Sequence, residues 1–571
     1  MASLRFITHR SSILWLLPVV ALGGAFGCGD DDNGSGGQGG STSAGGKSNA
    51  GGTAGKTGAG GGAQGGSSSG GKTGSGGSAE GGTSSGGAPE AGAGGMVVPP
   101  EAGAGGVPSN GSGGAGGEMG GQGGEGGETV LPNCVRDTSN AAKLIPVSAD
   151  GHDGFYGVVV DAQGNIYATG NAASGIANAD NRKTVVAKFD KTGALVSGFG
   201  TAGIATVDVV AAGGGELPRG IVLQSDGKIV VAGTVEHDAA ATGLKANDRD
   251  VYAVRFKTDG NLDTDFGVAG VRILNLNDGV EGTNSQGAAA LLAADAQWGL
   301  SVDGTDRLLI HSAQRATGFQ SDGVTPRTDT DWSIVRLTKE GAVDSSFGTA
   351  GKFTYDIGQA SGSARTLTLL ADGSMVASGY STYSGVQRPV LFKLGPDGQG
   401  PLWVFSEPVG TAAEAYGAAM QQSGKFVTAG YGRPNSTATT SDFVSIRLTA
   451  SGTLDTEYGQ KGAVWFDVGG FGDNARSLTV LGDDRVLMVG GGRLSETDVD
   501  GIVTVLTAQG APDVTFAPKG CRAYDFSTPG DFFWGAALSP DKKFAAVVGL
   551  TGVAASSTND NDSTLLILPV N

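Results

Sequence analysis

The polar signature that recurs along this 571-residue chain is Asp-x-Asp. It occurs as Asp248/Asp250, Asp329/Asp331, Asp498/Asp500 and Asp560/Asp562, with lone Asp180 and Asp442 at the corresponding place in other segments. Two carboxylates two residues apart in a loop can share a hard cation such as Ca²⁺, which takes about six to eight oxygen ligands. No loop here carries the full spacing of a calcium loop, and Asp also caps turns by bonding the backbone two residues on. Turn capping is the first expectation; Ca²⁺ is the single cofactor these residues suggest. A second set is Arg219, Arg365 and Arg476, each opening a short apolar segment. His152, His237 and His311 keep no paired spacing, which argues against a multi-histidine metal site. Residues 131–571 hold neither a nucleophile elbow nor a phosphate loop, so no catalytic residue is assigned.

The elements that must position these residues repeat. Five segments read Gly-x-apolar-x-x-x-aromatic-x-x-x-Gly, beginning at Gly193, Gly260, Gly341, Gly452 and Gly510, except that Gly510 is followed by an APDVTFAPKG variant. Upstream of each spacing lies a short strand ending in a small residue: Gly170, Gly233, Ser312, Gly379, Gly430, Gly490 and Gly549. One unit reads strand by strand. Residues 219–224 form a strand, Ser225-Asp226-Gly227 a turn, 228–233 a strand, 234–249 a variable loop, 250–256 a third strand, and 271–274 a fourth. Helical periodicity is absent, and β-branched and small residues dominate.

Four antiparallel strands per unit, repeated along the chain, describe an all-β, seven-bladed β-propeller. The last unit, from Trp534, supplies three strands, and residues 142–148 read as a lone strand able to complete it. The expected domain is therefore 131–571, a ring in which the N-terminal strand closes the last blade and leaves no open edge. First strands line the channel of such a ring, so Arg219, Arg365 and Arg476 are candidates to ring its mouth and attract an anion; pairing with turn carboxylates is the competing reading. Cys134 and Cys521 both fall beside the closure and are expected to form a disulfide in an exported protein.

At these residues the chain resembles the delta-60 repeat family, through Lys228–Gly233 with Asp250–Gly270 and through Lys425–Gly430 with Asp442–Gly462. That resemblance implies a propeller on bacterial surface proteins and implies no reaction. Asp161–Gly170 is also similar to the NHL-type propeller repeat.

Residues 1–27 read as a signal peptide, with Arg5, His9 and Arg10 ahead of the apolar stretch from Ile13 to Phe26. Ala25-Phe26-Gly27-Cys28 resembles a bacterial lipobox, which implies diacylation of Cys28. Residues 28–130 follow as a lipidated cysteine and a disordered tether; Gly supplies 42 of the 97 residues at 34–130, too little apolar surface to offset ordering entropy. The net charge of −18 excludes a basic nucleic-acid binder.

The expected protein is a non-catalytic, lipid-anchored component of the bacterial outer membrane or cell surface. Its expected partners are the membrane, through the lipid, and a protein or glycan. Loops 171–182, 234–249, 313–330, 432–441, 491–499 and 551–561 vary in length and sequence and all join second to third strands, so they emerge on one face, where binding usually resides. The competing classes are a propeller hydrolase or lyase with a site converging from separate blades, and a purely structural envelope component.

Overall fold

The computed structural model describes residues 134–139, 142–148, 151–173, 182–210, 215–237, 248–283, 289–292, 295–526, 530–552 and 561–570. The signal peptide, Cys28, the tether and Asp560 lie outside them. The described residues form seven blades, antiparallel but for one added parallel strand, and one separate two-stranded hairpin, with no helix among them. Blade 1 comprises Asp153–Val160, Ile166–Ala173, Arg182–Phe189 and Ile204–Val207; blade 2, Glu216–Leu223, Ile229–His237, Asp248–Phe256 and Val271–Leu274. Blade 3 comprises Ala296–Val302, Leu308–Arg315, Thr330–Leu337 and Lys352–Tyr355; blade 4, Gly362–Leu369, Met375–Tyr383, Val386–Leu394 and Trp403–Phe405. In blade 5 the first strand is split into Ala412–Ala413 and Gly417–Met420, followed by Phe426–Arg433, Asp442–Leu448 and Ala463–Phe466. Blade 6 comprises Asn474–Val480, Val486–Gly492, Asp500–Leu506 and Cys521–Tyr524. Blade 7 takes Asp531–Leu538, Phe544–Thr551 and Ser563–Pro569 from the C-terminal end and Ala142–Ile145 from the N-terminal end.

Apolar side chains on both faces of each sheet bury against the neighbouring blades. Val186 and Phe199 of blade 1 pack with Ile221, Val231, Tyr252 and Phe256 of blade 2, all buried except at the margin. Val222, Val230 and Phe266 of blade 2 pack in turn with Leu308, Ile310 and Leu337 of blade 3. First strands face first strands around the axis, and their approach is close. A Cβ on Gly157 would lie 2.6 Å from the Arg219 carbonyl oxygen of the next blade, and one on Gly535 would lie 2.9 Å from that of Tyr156.

The turns on the face away from the long loops are held by a repeated latch. In blade 2, Arg255 pairs with Asp263 of the turn at 2.8 Å, stacks on Phe266 and donates to the Lys339 carbonyl of blade 3 at 2.6 Å. Arg336 repeats this with Asp344, Phe347 and the Pro396 carbonyl, and Arg447 with Asp455, Tyr458 and the Ala508 carbonyl. In blade 6, Val505 stands in the arginine's place, and Arg485, just ahead of the second strand, holds Asp513 instead, at 2.7 Å. These turn carboxylates sit below their usual range because cations and amide donors oppose the burial that raises them.

The ring closes as the strand count requires: Ala142–Ile145 pairs antiparallel with Ser563–Pro569, Ala142 opposite Leu566. Three features go beyond the sequence reading. Second strands continue past their glycine, to Ala173, His237 and Gly492 in blades 1, 2 and 6, because cross-strand pairing persists into the loops. A hairpin, Val280–Thr283 with Ala289–Leu292, is inserted between blades 2 and 3. Val135–Arg136 adds a fifth, parallel strand to blade 6 beside Cys521–Tyr524.

Cys134 and Cys521 are disulfide-bonded, their Cα atoms 4.9 Å apart and 387 residues apart in sequence. The bond fixes the chain entering the closing strand to the blade before the closure. A link closing so long a loop stabilises by about 6 kcal/mol in the chain-entropy view. Replacing both cysteines by serine is expected to lower the thermal midpoint by several degrees with the far-ultraviolet spectrum unchanged. Peptide mapping without reductant that recovered two free thiols would contradict the bond.

Candidate functional site

In every blade the first strand carries an extra residue. The pairing with the second strand shifts between Phe155 and Gly157, Pro218 and Gly220, Gln297 and Gly299, Ala364 and Leu367, Ala475 and Ser477, and Phe533 and Gly535. The split first strand of blade 5 slips likewise between Ala413 and Gly417. A bulge turns the extra side chain off the sheet face, and here the seven sites meet around the channel. They hold, in ring order, Tyr156, Arg219, Trp298, Arg365, Tyr416, Arg476 and Trp534, an alternation of aromatic rings and guanidinium groups.

Six of the seven neighbouring pairs are in contact. Arg219 stacks on Trp298 at 3.7 Å and Arg365 on the same indole at 4.0 Å; Arg365 and Arg476 each lie 4.5 Å from Tyr416. Arg476 also lies 4.8 Å from Trp534, which meets Tyr156 edge-on at 5.4 Å. Burial raises the Tyr156 hydroxyl above its ordinary value, against the opposing pull of Arg182 and Arg219. The half of the ring in blades 3 to 5 is closed: Arg365 is 1% exposed and pairs with the equally buried Glu414 at 3.3 Å, and Trp298 and Tyr416 are buried. The other half, Arg476, Trp534, Tyr156 and Arg219, is only half-buried. In the six unsplit first strands the bulge falls at the third or fourth residue of seven or eight, in the half nearer the end from which the second-to-third-strand loops leave.

The arginines were visible in sequence as residues opening first strands; their aromatic partners were not singled out. A signal was present, since Tyr156, Arg219, Trp298, Tyr416 and Trp534 are each followed by glycine, and Arg476 by serine, at the same repeat position. The bulge also explains the glycine of the second strand. A Cβ on Gly170 would fall 1.7 Å from the Gly154 carbonyl oxygen, and one on Gly430 2.0 Å from that of Glu414.

A second recurrent group escaped the sequence reading. An acid at the start of the first strand accepts backbone amides from the segment leaving the preceding blade. Asp153 takes Val147 and Ser148 at 3.0 and 2.9 Å, Asp295 takes Leu276 at 2.6 Å, Asp473 takes Val468 at 2.7 Å and Asp531 takes Phe526 at 2.6 Å. Glu216 takes Thr184 at 2.6 Å and Val209. Asp153 also accepts from Ser563, across the closure. Burial outweighs these donors, raising Asp153 to about 6, Glu216 to about 7 and Asp295 to about 8.

The Asp-x-Asp residues divide. Asp329 and Asp331 converge with Asp356, and Asp498 and Asp500 with Asp525, as three-carboxylate clusters. Both clusters are met by a guanidinium. Arg327 lies 2.5 Å from Asp329, 2.8 Å from Asp331 and 2.9 Å from Asp356. Arg136, on the added fifth strand, lies 3.7, 3.2 and 2.7 Å from Asp498, Asp500 and Asp525. Asp248 accepts from the amides of Arg249 and Gly279, a turn-capping role; Asp250 is buried beside it, and both raise Asp295. Asp562 takes the Thr551 hydroxyl as partner for its own amide. A third cluster, Asp442, Asp467 and Asp473, uses Asp473 oxygens on the Val468 and Arg493 amides and an Asp467 oxygen on Gly469. His152, His237 and His311 belong to three different blades, and burial drops His311 to about 3, leaving a neutral ring against Trp332.

Residues 224–266 and 370–399 match the model of a family described as a domain of unknown function (DUF5122) beta-propeller, which supports a propeller repeat family. No curated protein matches the chain. Among solved structures, the polysaccharide lyase Uly1 is 10% identical over 73% of this chain and 90% of its own, with a TM-score of 0.40. The beta-propeller domain of the Trilobed protease from Pyrococcus furiosus is 10% identical over 73% and 93%, at 0.35. Sqt1 from Chaetomium thermophilum is 10% identical over 75% and 100%, at 0.34.

Two predictions follow from the acids. Asp153, Glu216 and Asp295 bind their protons more tightly folded than unfolded, so their contribution is full below about pH 4 and is lost as pH rises through about 6 to 8. The depressed turn aspartates act oppositely, losing theirs in acid. The thermal midpoint is therefore expected to peak near pH 5 and fall toward pH 8.5; a rise over that interval contradicts the burial argument. For the clusters, Arg327→Met leaves three facing carboxylates uncompensated and is expected to cost about 3–5 kcal/mol. Millimolar Ca²⁺ should recover part of that loss, while chelator leaves the native midpoint unchanged; a native midpoint lowered by chelator means that a metal, not Arg327, balances the acids.

Proposed function

We propose that this protein is a non-catalytic, lipid-anchored propeller of the bacterial cell envelope that binds a protein or glycan ligand through the face carrying its second-to-third-strand loops. The observation that carries the reading is the placement of the open half of the channel ring. Guanidinium and aromatic groups at Arg476, Trp534, Tyr156 and Arg219 are half-buried in the half of the channel nearer the end where the varied loops emerge. The opposite face offers short turns locked by Arg255–Asp263, Arg336–Asp344 and Arg447–Asp455, whose side chains are already used to join blades. Variable loops on a rigid ring are suited to selective binding.

The anchor belongs to the proposal through Cys28, behind a short apolar leader and ahead of the glycine-rich tether. Acyl chains contribute about 0.8 kcal/mol per buried methylene, so two or three of them hold a protein at a membrane. The disulfide suits an exported protein, since such bonds persist in oxidising compartments.

The test has two arms. Labelled fatty acid is expected to enter the native protein and not Cys28→Ala; equal labelling removes the anchor. A glycan array and a pull-down with the intact protein identify the ligand. Shortening the 234–249 or 313–330 loop is then expected to weaken binding at least tenfold, while substitutions in the turns at Asp259-Gly260 or Ser451-Gly452 leave it unchanged. The reverse pattern assigns the working face to the other end of the ring.

A further inference from the structure

We propose that Gln297, Ser312 and Ser333, a polar row buried in blade 3 where it meets blade 2, form a binding site for internal water. The site is independent of which face of the ring takes a partner.

The three residues lie opposite one another. Gln297 of the first strand pairs with Ser312 of the second, and Ser312 with Ser333 of the third. Side chains alternate between faces along a strand, so Ser312 shares its face with Ile310 and Ser333 shares its face with Val335. Those two pack with Val222, Val230 and Ala232 of blade 2. Gln297 reaches the same side, since its Nε2 would lie 2.9 Å from a Cβ on Gly220 of blade 2. Thr234 of blade 2 joins the group, its Oγ1 accepting the Gln297 backbone amide at 2.8 Å.

Gln297, Ser312 and Ser333 are each 0% exposed. Both amide atoms of Gln297 and the two serine hydroxyls have no hydrogen-bond partner among the described residues. A polar group buried in that way loses the hydration it had in the unfolded chain and gains nothing in return. Other blades avoid that cost at this register. The same row reads Phe155, Gly170 and Val185 in blade 1, and Ala364, Gly379 and Val390 in blade 4. Ser312 also departs from the steric condition met there. A Cβ on Gly379 would fall 2.1 Å from the Ser363 carbonyl oxygen. Ser312 carries a Cβ, so the first strand of blade 3 must stand further from the second at this point.

The donor set identifies the ligand. The Gln297 Nε2 donates only, its Oε1 accepts only, and the two hydroxyls do either. A cation would face the amide N–H groups, and an anion the amide oxygen. Water gives and accepts, and a buried water makes about three hydrogen bonds. Side chains opposite in register start about 4.5–5.5 Å apart at Cβ. A water bonded at about 2.8 Å on each side spans that distance. The site adjoins the channel ring: Gln297 directly precedes Trp298, and its carbonyl accepts Arg219 at 3.5 Å.

The test compares the full-length protein in mild detergent with two variants, Ser333→Ala and the triple Gln297→Leu/Ser312→Ala/Ser333→Val. Water ¹⁷O relaxation dispersion counts long-lived internal waters, and the native protein is expected to hold at least one more than the triple variant. Ser333→Ala removes one partner of a bound water and is expected to lower the thermal midpoint by about 1–3 °C. It also serves as the test if the triple variant does not fold. Were the row simply unpaired, the same change would remove a buried group without a partner and raise the midpoint. A midpoint unchanged or raised in Ser333→Ala, or equal water counts in the native and triple proteins, overturns the proposal. So does a native midpoint that falls when choline replaces sodium and potassium while that of the triple variant does not, because the row then holds a cation.

Discussion

The extra residue in each first strand sets the geometry on which the rest of this ring depends. Seven strands crowd around one axis, and a residue that cannot be paired with the second strand must leave the sheet surface. Leaving inward, it puts a side chain into the channel. It also brings the first-strand carbonyl toward the second strand, which is why Gly170, Gly379, Gly430, Gly490 and Gly549 have no room for a side chain. The same crowding asks for a small residue after the bulge, since the next blade's first strand passes there. The repeat's most regular small residues are thus consequences of a single steric condition.

Around that centre, charge is distributed by depth and by face. On the short-turn face, arginine and aspartate neutralise each other and reach the next blade through carbonyls, so polar groups join blades rather than await a ligand. At the other end of the blades, buried acids such as Asp153 and Glu216 take backbone amides from the preceding blade, tying each transition from one sheet to the next. Arg136 and Arg327 place fixed cations among converging carboxylates. In the channel, guanidinium groups stack on aromatic faces, and Glu414 is the buried carboxylate against Arg365.

Closure uses four devices at one seam. The strand at Ala142–Ile145 completes blade 7, Asp153 reaches across to Ser563, and the chain just upstream is held to blade 6 by the parallel strand at Val135–Arg136 and by the Cys134–Cys521 bond. A propeller's weak point is the junction between its first and last elements, because no covalent continuity protects it there. Here hydrogen bonds, a buried carboxylate and a covalent link share that junction.

By itself the sequence determined the class of the fold, the number of blades and the manner of closure. Strand alternation, turn residues and repeat spacing are local properties, and counting strands left one place to be filled from Ala142–Ile145. It also marked Arg219, Arg365 and Arg476 through their common position, and the turn aspartates through the fixed length of their connections. What the tertiary structure alone decided was what those residues face. That Arg476 lies among Tyr416, Tyr431, Phe532 and Trp534 depends on strands from three blades meeting across the axis, at separations no spacing rule spans. That Asp498, Asp500 and Asp525 surround Arg136, more than three hundred and fifty residues away, depends on the ring being closed. Residue type and period are written locally, whereas partner and depth are fixed only when distant strands are brought together.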